Sequence, residues 1–173
     1  MIQLSYQPAF DPFHAVFRLL RLREAVLKDG PLHEDHLKIL DFYLLFPFRI
    51  DGIRLQQGHR KFRRLASQYA AAKPYGDQPE DRALFGRMNT IQIVALDTML
   101  AKRLIDSKMY DLGTVVRTDT VIPTNIAARV TEANTEDADL VKCLGVLARE
   151  YDLLGDDGLK SRSRLMEHRY DAT

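Results

Sequence analysis

A mainly α-helical fold, carrying a winged-helix-like element and a small β-hairpin, is what this sequence predicts. Apolar residues recur at helical spacing through most of the 173-residue chain. Helix starts and stops are written as Asp11-Pro12, Asp29-Gly30-Pro31 and Pro47. Only Gly113 to Pro123 is rich enough in β-branched residues, between a Gly and a Pro, to read as strand. With 46% hydrophobic and 28% charged residues, the composition is that of a folded domain and not of a disordered or fibrous chain.

Asp11 offers an N-cap acceptor and Pro12 a first-turn residue that needs no hydrogen-bond partner, so a helix is expected from there to about Lys28. Phe13, Val16, Phe17, Leu20 and Leu27 share one face, while Arg18, Arg21, Glu24 and Lys28 make a polar stripe. A second helix spans about His33 to Phe46 and breaks before Pro47. Residues 48–55 read as a connector. A third helix, about His59 to Ala72, puts Phe62, Leu65, Ala66 and Tyr69 on one side and Arg60, Lys61 and Arg64 on the other. After a turn over Lys73 to Pro79, Asp81 to about Ile105 is helical, in one piece or in two divided near Gly86, its second part apolar nearly all round. The strand over 113–123 has a hairpin partner in Ile105 to Tyr110. The last long helix runs from about Glu136 to Leu154, capped by Asn134 or Thr135, and a short helix is possible within Lys160 to Arg169. The expected organisation is an amino-terminal arm and first helix (1–32), a winged-helix-like core (33–125) and a carboxy-terminal helical segment (126–173) packed on that core.

The net charge of +1 excludes a protein that is basic all over, but its distribution is uneven. Between Gly52 and Gly76 there is no acid, while Arg54, Arg60, Lys61, Arg63, Arg64 and Lys73 are all positive. From Glu132 to Asp157, eight acids face only Lys142 and Arg149. Arg60, Lys61, Arg63 and Arg64 are therefore candidate phosphate contacts; the competing reading pairs them with Glu136, Asp137, Asp139 or Glu150 of the same chain.

Enzyme signatures are scarce. No Gly-Lys-Ser or Gly-Lys-Thr follows Gly52 or Gly58, and there is no nucleophile elbow, dinucleotide fingerprint or nuclease carboxylate cluster. His33 and His36 stand at i and i+3 beside Glu34 and Asp35, a spacing that two metal ligands use, but no third ligand falls at a fitting distance. Cys143 sits among Leu140, Val141, Leu144 and Leu147, where a buried inert thiol is expected. No catalytic residue, cofactor or metal is assigned. Since no apolar run reaches the roughly 18 residues of a spanning helix, and Met1-Ile2-Gln3-Leu4 lacks a signal-peptide layout, a cytoplasmic protein is expected.

Three strings have a further meaning. Tyr6-Gln-Pro-Ala-Phe-Asp-Pro-Phe-His-Ala-Val-Phe-Arg-Leu-Leu-Arg-Leu22 resembles the opening of the middle components of bacterial ABC-three-component systems. Gly113-Thr-Val-Val-Arg-Thr118 and Gly158-Leu-Lys-Ser-Arg-Ser-Arg-Leu-Met-Glu-His-Arg-Tyr-Asp171 are similar to the same family, so the resemblance covers most of the chain. It implies a small subunit encoded between an SMC-like ATPase and an effector, expected to be a nuclease, as in Lamassu-type defence against phages and plasmids. Winged-helix elements and an accessory role, without catalytic residues, are implied with it. On that footing Tyr6, Pro8 and Phe10, with Arg18 and Arg21 adding polar contacts, are the candidate partner-binding residues, and Arg60, Lys61, Arg63 and Arg64 touch DNA without sequence preference once in the complex. A free-standing winged-helix DNA-binding regulator is the alternative.

Overall fold

The computed structural model describes residues 7–73 and 79–167. Eight helices and one two-stranded sheet are found among them: α1 Pro12–Ala25, β1 Leu32–His33, α2 Glu34–Leu45, α3 Phe62–Gln68, α4 Asp81–Ala101, α5 Ser107–Tyr110, β2 Thr114–Val115, α6 Thr124–Glu136, α7 Ala138–Arg149 and α8 Leu159–Ser163. The fold is mainly α with a small antiparallel sheet, as the sequence predicts. Helix α1 is the hub. It packs against α2, α4 and α6; α2 in turn packs on α7, and α3 lies on the 3-10 turn Pro47–Gly52 and against α7. A single hydrophobic cluster runs from Ala9 to Leu165, through all three segments drawn from the sequence.

The start of α1 follows its sequence signal. The Asp11 carboxylate accepts from the Phe13 and His14 amides at 2.8 and 3.3 Å, and Pro12 occupies the first position. Its end is held from afar: Arg149 donates to the Val26, Gly30 and Pro31 carbonyls at 2.8, 2.7 and 3.1 Å. Helix α4 passes through Gly86 without a break, because the buried Leu84, Phe85 and Met88 around it outweigh the roughly 1 kcal/mol that an interior glycine costs. Its apolar second part is not buried all round, for Ile93 and Val94 face solvent.

The sheet joins β1 to β2 in antiparallel register, Leu32 opposite Val115 and His33 opposite Thr114. The expected hairpin persists nearby as one bridge between Ile105 and Arg117, flanked by Asp106 N–H to Val116 O (2.9 Å) and Thr118 N–H to Leu104 O (3.2 Å). Asp106 then caps α5, which replaces the extended partner expected over 106–110. At Gly113 a φ of 77°, a left-handed conformation that favours glycine, turns the chain from α5 into β2. Arg23, buried in α1, pins the following loop by donating to the carbonyls of Leu104, Thr118 and Thr120 at 2.9, 2.8 and 2.8 Å. Helix α6 is absent from the sequence reading, which starts the last long helix at 136; α7 ends at Arg149, short of the expected Leu154.

The two histidines of the first turn of α2 part company. His33 caps the helix, its Nδ1 accepting from the Asp35 amide at 3.1 Å, while His36 is buried with its Nε2 2.9 Å from the Leu147 carbonyl. Burial holds His36 below the usual imidazole range, the carbonyl bond opposing and the Arg149 charge adding to the effect. Burial lowers the half-buried His14 as well, with Arg18 beside it acting in the same direction. Folding therefore keeps these rings neutral while the unfolded chain takes up protons below about pH 6.5, so stability present at neutral pH is lost as pH falls. The midpoint of thermal unfolding is expected to decline from pH 7.5 to 5.5, and less steeply in His36→Gln; an unchanged slope in that variant would assign the decline to other groups.

Candidate functional site

Helix α3 is short, and its position depends on the residues before it. Phe62, Leu65 and Ala66 are buried, which fixes one face inward. His59 locks the amino end to the end of α7: its Nδ1 lies 2.9 Å from the Tyr151 hydroxyl and its Nε2 3.1 Å from Glu150. The Gln56 amide donates to the same hydroxyl at 2.9 Å. With three residues inward and the amino end tied, Arg60, Lys61, Arg63 and Arg64 are left in solvent.

These four side chains do not make the internal pairs that the acidic half of the chain offered. Among the described residues, Arg60, Lys61 and Arg64 have no carboxylate within 4.0 Å, and Arg63 reaches only the exposed Asp51, at 4.0 Å. An exposed pair at that distance is worth little. Two of those acids are engaged elsewhere: Asp137 accepts from Arg21 and from the Tyr69 hydroxyl, both at 2.8 Å, and Glu150 faces His59. Between α3 and α7 lies a cleft of about 230 Å³, lined by Lys61, Arg64 and Gln68 on one side and Asp139 and Lys142 on the other, with Phe62 and Leu65 as its floor. Lys142 thus joins the patch. Sequence reasoning missed it because it lies within the most acidic stretch of the chain, and only the packing of α7 against α3 sets it opposite Lys61 and Arg64. Three cations against one carboxylate make the cleft a favourable place for phosphate oxygens.

The residues expected to meet a partner are arranged differently. Tyr6 lies outside the described residues. Pro8 and Phe10 form a 3-10 turn that buries Ala9, and both are half-buried. Arg18 is only 2% exposed: its Nε and Nη2 donate to the two oxygens of the fully buried Asp41 at 2.6 and 3.1 Å, and its Nη1 donates to the Pro8 carbonyl at 3.1 Å and meets His14 Nδ1 at 2.7 Å. Gln92 completes the network by donating to Asp41 at 2.9 Å. Arg21 is spent on α6, bonding Asn134, Ala133 O and Asp137 at 2.9, 3.1 and 2.8 Å. Both arginines are internal fastenings of α1 and not surface contacts, because the buried Asp41 of α2 and the half-buried acceptors at the end of α6 are better partners for a guanidinium than water is for one stranded on a packed helix. Phe13, expected on the buried face, is 87% exposed instead.

The remaining chemistry is quiet. Cys143 is buried and its thiol is pushed up to about 12, which keeps it protonated. The described residues contain no group of three or more His, Cys, Asp or Glu able to hold a metal ion, and no helix among them is long and apolar enough to cross a membrane. A cavity of about 610 Å³ lies between the end of α1, the 117–122 loop and α6.

No curated protein and no solved structure matches the chain. A family model does, over residues 4–171, nearly the whole length: ABC-three component (ABC-3C) system Middle Component 5. The match spans the described bundle, both sides of the α3–α7 cleft and all three strings on which the resemblance was noted. The chain accordingly belongs to the Middle Component 5 family of ABC-three-component systems.

Proposed function

We propose that this chain is a non-enzymatic accessory subunit of an SMC-like ATPase complex in defence against phages or plasmids, as in Lamassu-type systems. It bridges or regulates the ATPase and a nuclease effector and adds a sequence-independent contact to DNA. In this reading α2, α3 and α4, followed by the Ile105–Arg117 bridge, are a winged-helix-like module with a minimal wing, used for docking. The observation that supports DNA contact is the α3–α7 cleft, where Lys61 and Arg64 stand without an ion pair among the described residues, with the exposed Arg60 preceding them in the chain. Phe62 is buried at its floor, so the surface offers charges to a backbone without an aromatic ring for stacking bases. A domain of net charge +1 has too little unopposed field to bind tightly alone, and the contact acts once partners have brought DNA close.

Binding through four such cations gives a log–log salt slope of up to about −3.6 for the assembled complex, and Arg60→Glu with Arg64→Glu shrinks it by about 1.8. Since neither residue makes an internal ion pair, the thermal midpoint of the isolated double variant should stay within about 2 °C of wild type. A lowered midpoint with an unchanged salt slope would assign the patch to protein contacts and remove DNA from the proposal.

A further inference from the structure

Phe13 is the second residue of α1 and stands 87% exposed, an unusual position for a phenyl ring at the start of the most heavily packed helix of the fold. The aromatic residues on either side of it in the chain are half-buried against the core, and each carries an arginine from another helix. The Arg87 guanidinium of α4 lies 4.6 Å from the centroid of the Phe10 ring, and that of Arg129 of α6 lies 5.9 Å from Phe17, one turn along α1 from Phe13. Both arginines are exposed, and among the described residues neither guanidinium has a hydrogen bond or a carboxylate within 4.0 Å; Glu132, on the turn after Arg129, stays beyond that distance. Stacking on a ring fixes where a guanidinium sits without using its five N–H donors. The Asp11 carboxylate next to Phe13 already accepts from the amides of the first turn.

An open phenyl ring, with an arginine pre-placed on the aromatic ring before it in the chain and another on the ring one turn after it, has the composition from which protein-binding hot spots are made. The charge that complements it is negative, and the chain belongs to a family of multi-component systems. We propose that Phe13, with Arg87 and Arg129, docks an acidic segment of a partner component, an apolar side chain of that segment covering Phe13 and its carboxylates taken by the two guanidiniums. The proposal rests on reading the chain as a subunit that assembles with partners. A single-stranded nucleic acid fits less well, because two of the three rings are already faced by arginines and only one is open for a base.

The test is co-expression of the system's three components with a tag on this chain, followed by titration of the partner that is recovered. Phe13→Ala is expected to weaken the partner at least tenfold while keeping the wild-type dependence on salt. Arg87→Glu with Arg129→Glu is expected to weaken it as much and to flatten that dependence, and Arg60→Glu with Arg64→Glu to leave it unchanged. Circular dichroism of the isolated variants should match wild type, since none of the three side chains is buried. Full recovery by both Phe13→Ala and the charge reversal, with wild type also binding, overturns the docking site and leaves the subunit reading standing. Failure of wild type to bind either component removes the subunit reading itself, and the docking site with it. A wild-type self-association that Phe13→Ala abolishes, or a loss confined to single-stranded DNA binding, likewise overturns the proposal.

Discussion

Asp41→Ala is expected to cost about 3–5 kcal/mol, which for a chain of this size lowers the thermal midpoint by roughly 6–20 °C. Asp41 has no exposed surface, and it accepts two bonds from Arg18 and one from Gln92. Removing it strands a guanidinium in the apolar bundle, where neither water nor another carboxylate is at hand. The penalty measures the abandoned charge more than the worth of the pair. Replacing both partners, Arg18→Met with Asp41→Leu, should therefore recover most of the loss. Urea titration of the three variants decides the matter: a double variant no more stable than Asp41→Ala would mean that Arg18 matters chiefly through its bonds to Pro8 and His14. The same network accounts for the place of the amino-terminal turn, since Arg18 reaches Asp41 with one side of its fork and the Pro8 carbonyl with the other.

Gly158→Ala is the second large effect. Its φ of −73° suits any residue, so the glycine is required by space alone. A Cβ there would come within 2.7 Å of the Leu153 carbonyl oxygen and closer still to the Leu154 carbonyl, and backbone atoms cannot swing aside as a side-chain end can. The displaced segment would be α8, which places Leu159 in the core, Lys160 Nζ 3.1 Å from Asp35 and the Ser161 hydroxyl 2.8 Å from an Arg54 donor. A loss of at least about 1–3 kcal/mol is expected, with faster amide exchange over Leu159–Ser163. Gly86→Ala, in open space on α4, should instead stabilise by about 0.5–1 kcal/mol. Equal midpoints for the two variants would contradict the steric argument.

What could be read from the sequence was what neighbouring residues decide. Asp11-Pro12 starts α1 because a cap acts over three residues, and Arg60, Lys61, Arg63 and Arg64 are exposed because their apolar neighbours Phe62 and Leu65 take the inward face. Helix α6 escaped notice because Val130 is its one buried residue, Pro123 before it gives no side-chain cap, and its seam with α1 is polar, made by Arg21, Asn134 and Ala133 O. Its apolar period, Ile126, Ala127 and Val130, covers barely more than one turn and does not stand out in the sequence. For the same reason Arg18 and Arg21 read as a solvent stripe: their acceptors lie 23 and 113 residues further on. Lys142 was masked by its acidic neighbours, and Phe13 by sharing a helical period with residues that are packed.

The pin formed by Arg23 has a consequence for how the chain comes off the ribosome. Its three carbonyl acceptors lie 81, 95 and 97 residues downstream, and the carbonyls at the end of α1 wait for Arg149. At translation rates of about 5–20 residues per second, the first helix spends on the order of ten seconds with the Arg23 guanidinium lacking its three carbonyl acceptors. A nascent chain stopped before Thr118 cannot bury that face of α1. Premature termination anywhere in the first two thirds of the message should thus yield a product that quality control removes, so that only chains carrying the α6 and α7 half persist to join an assembly.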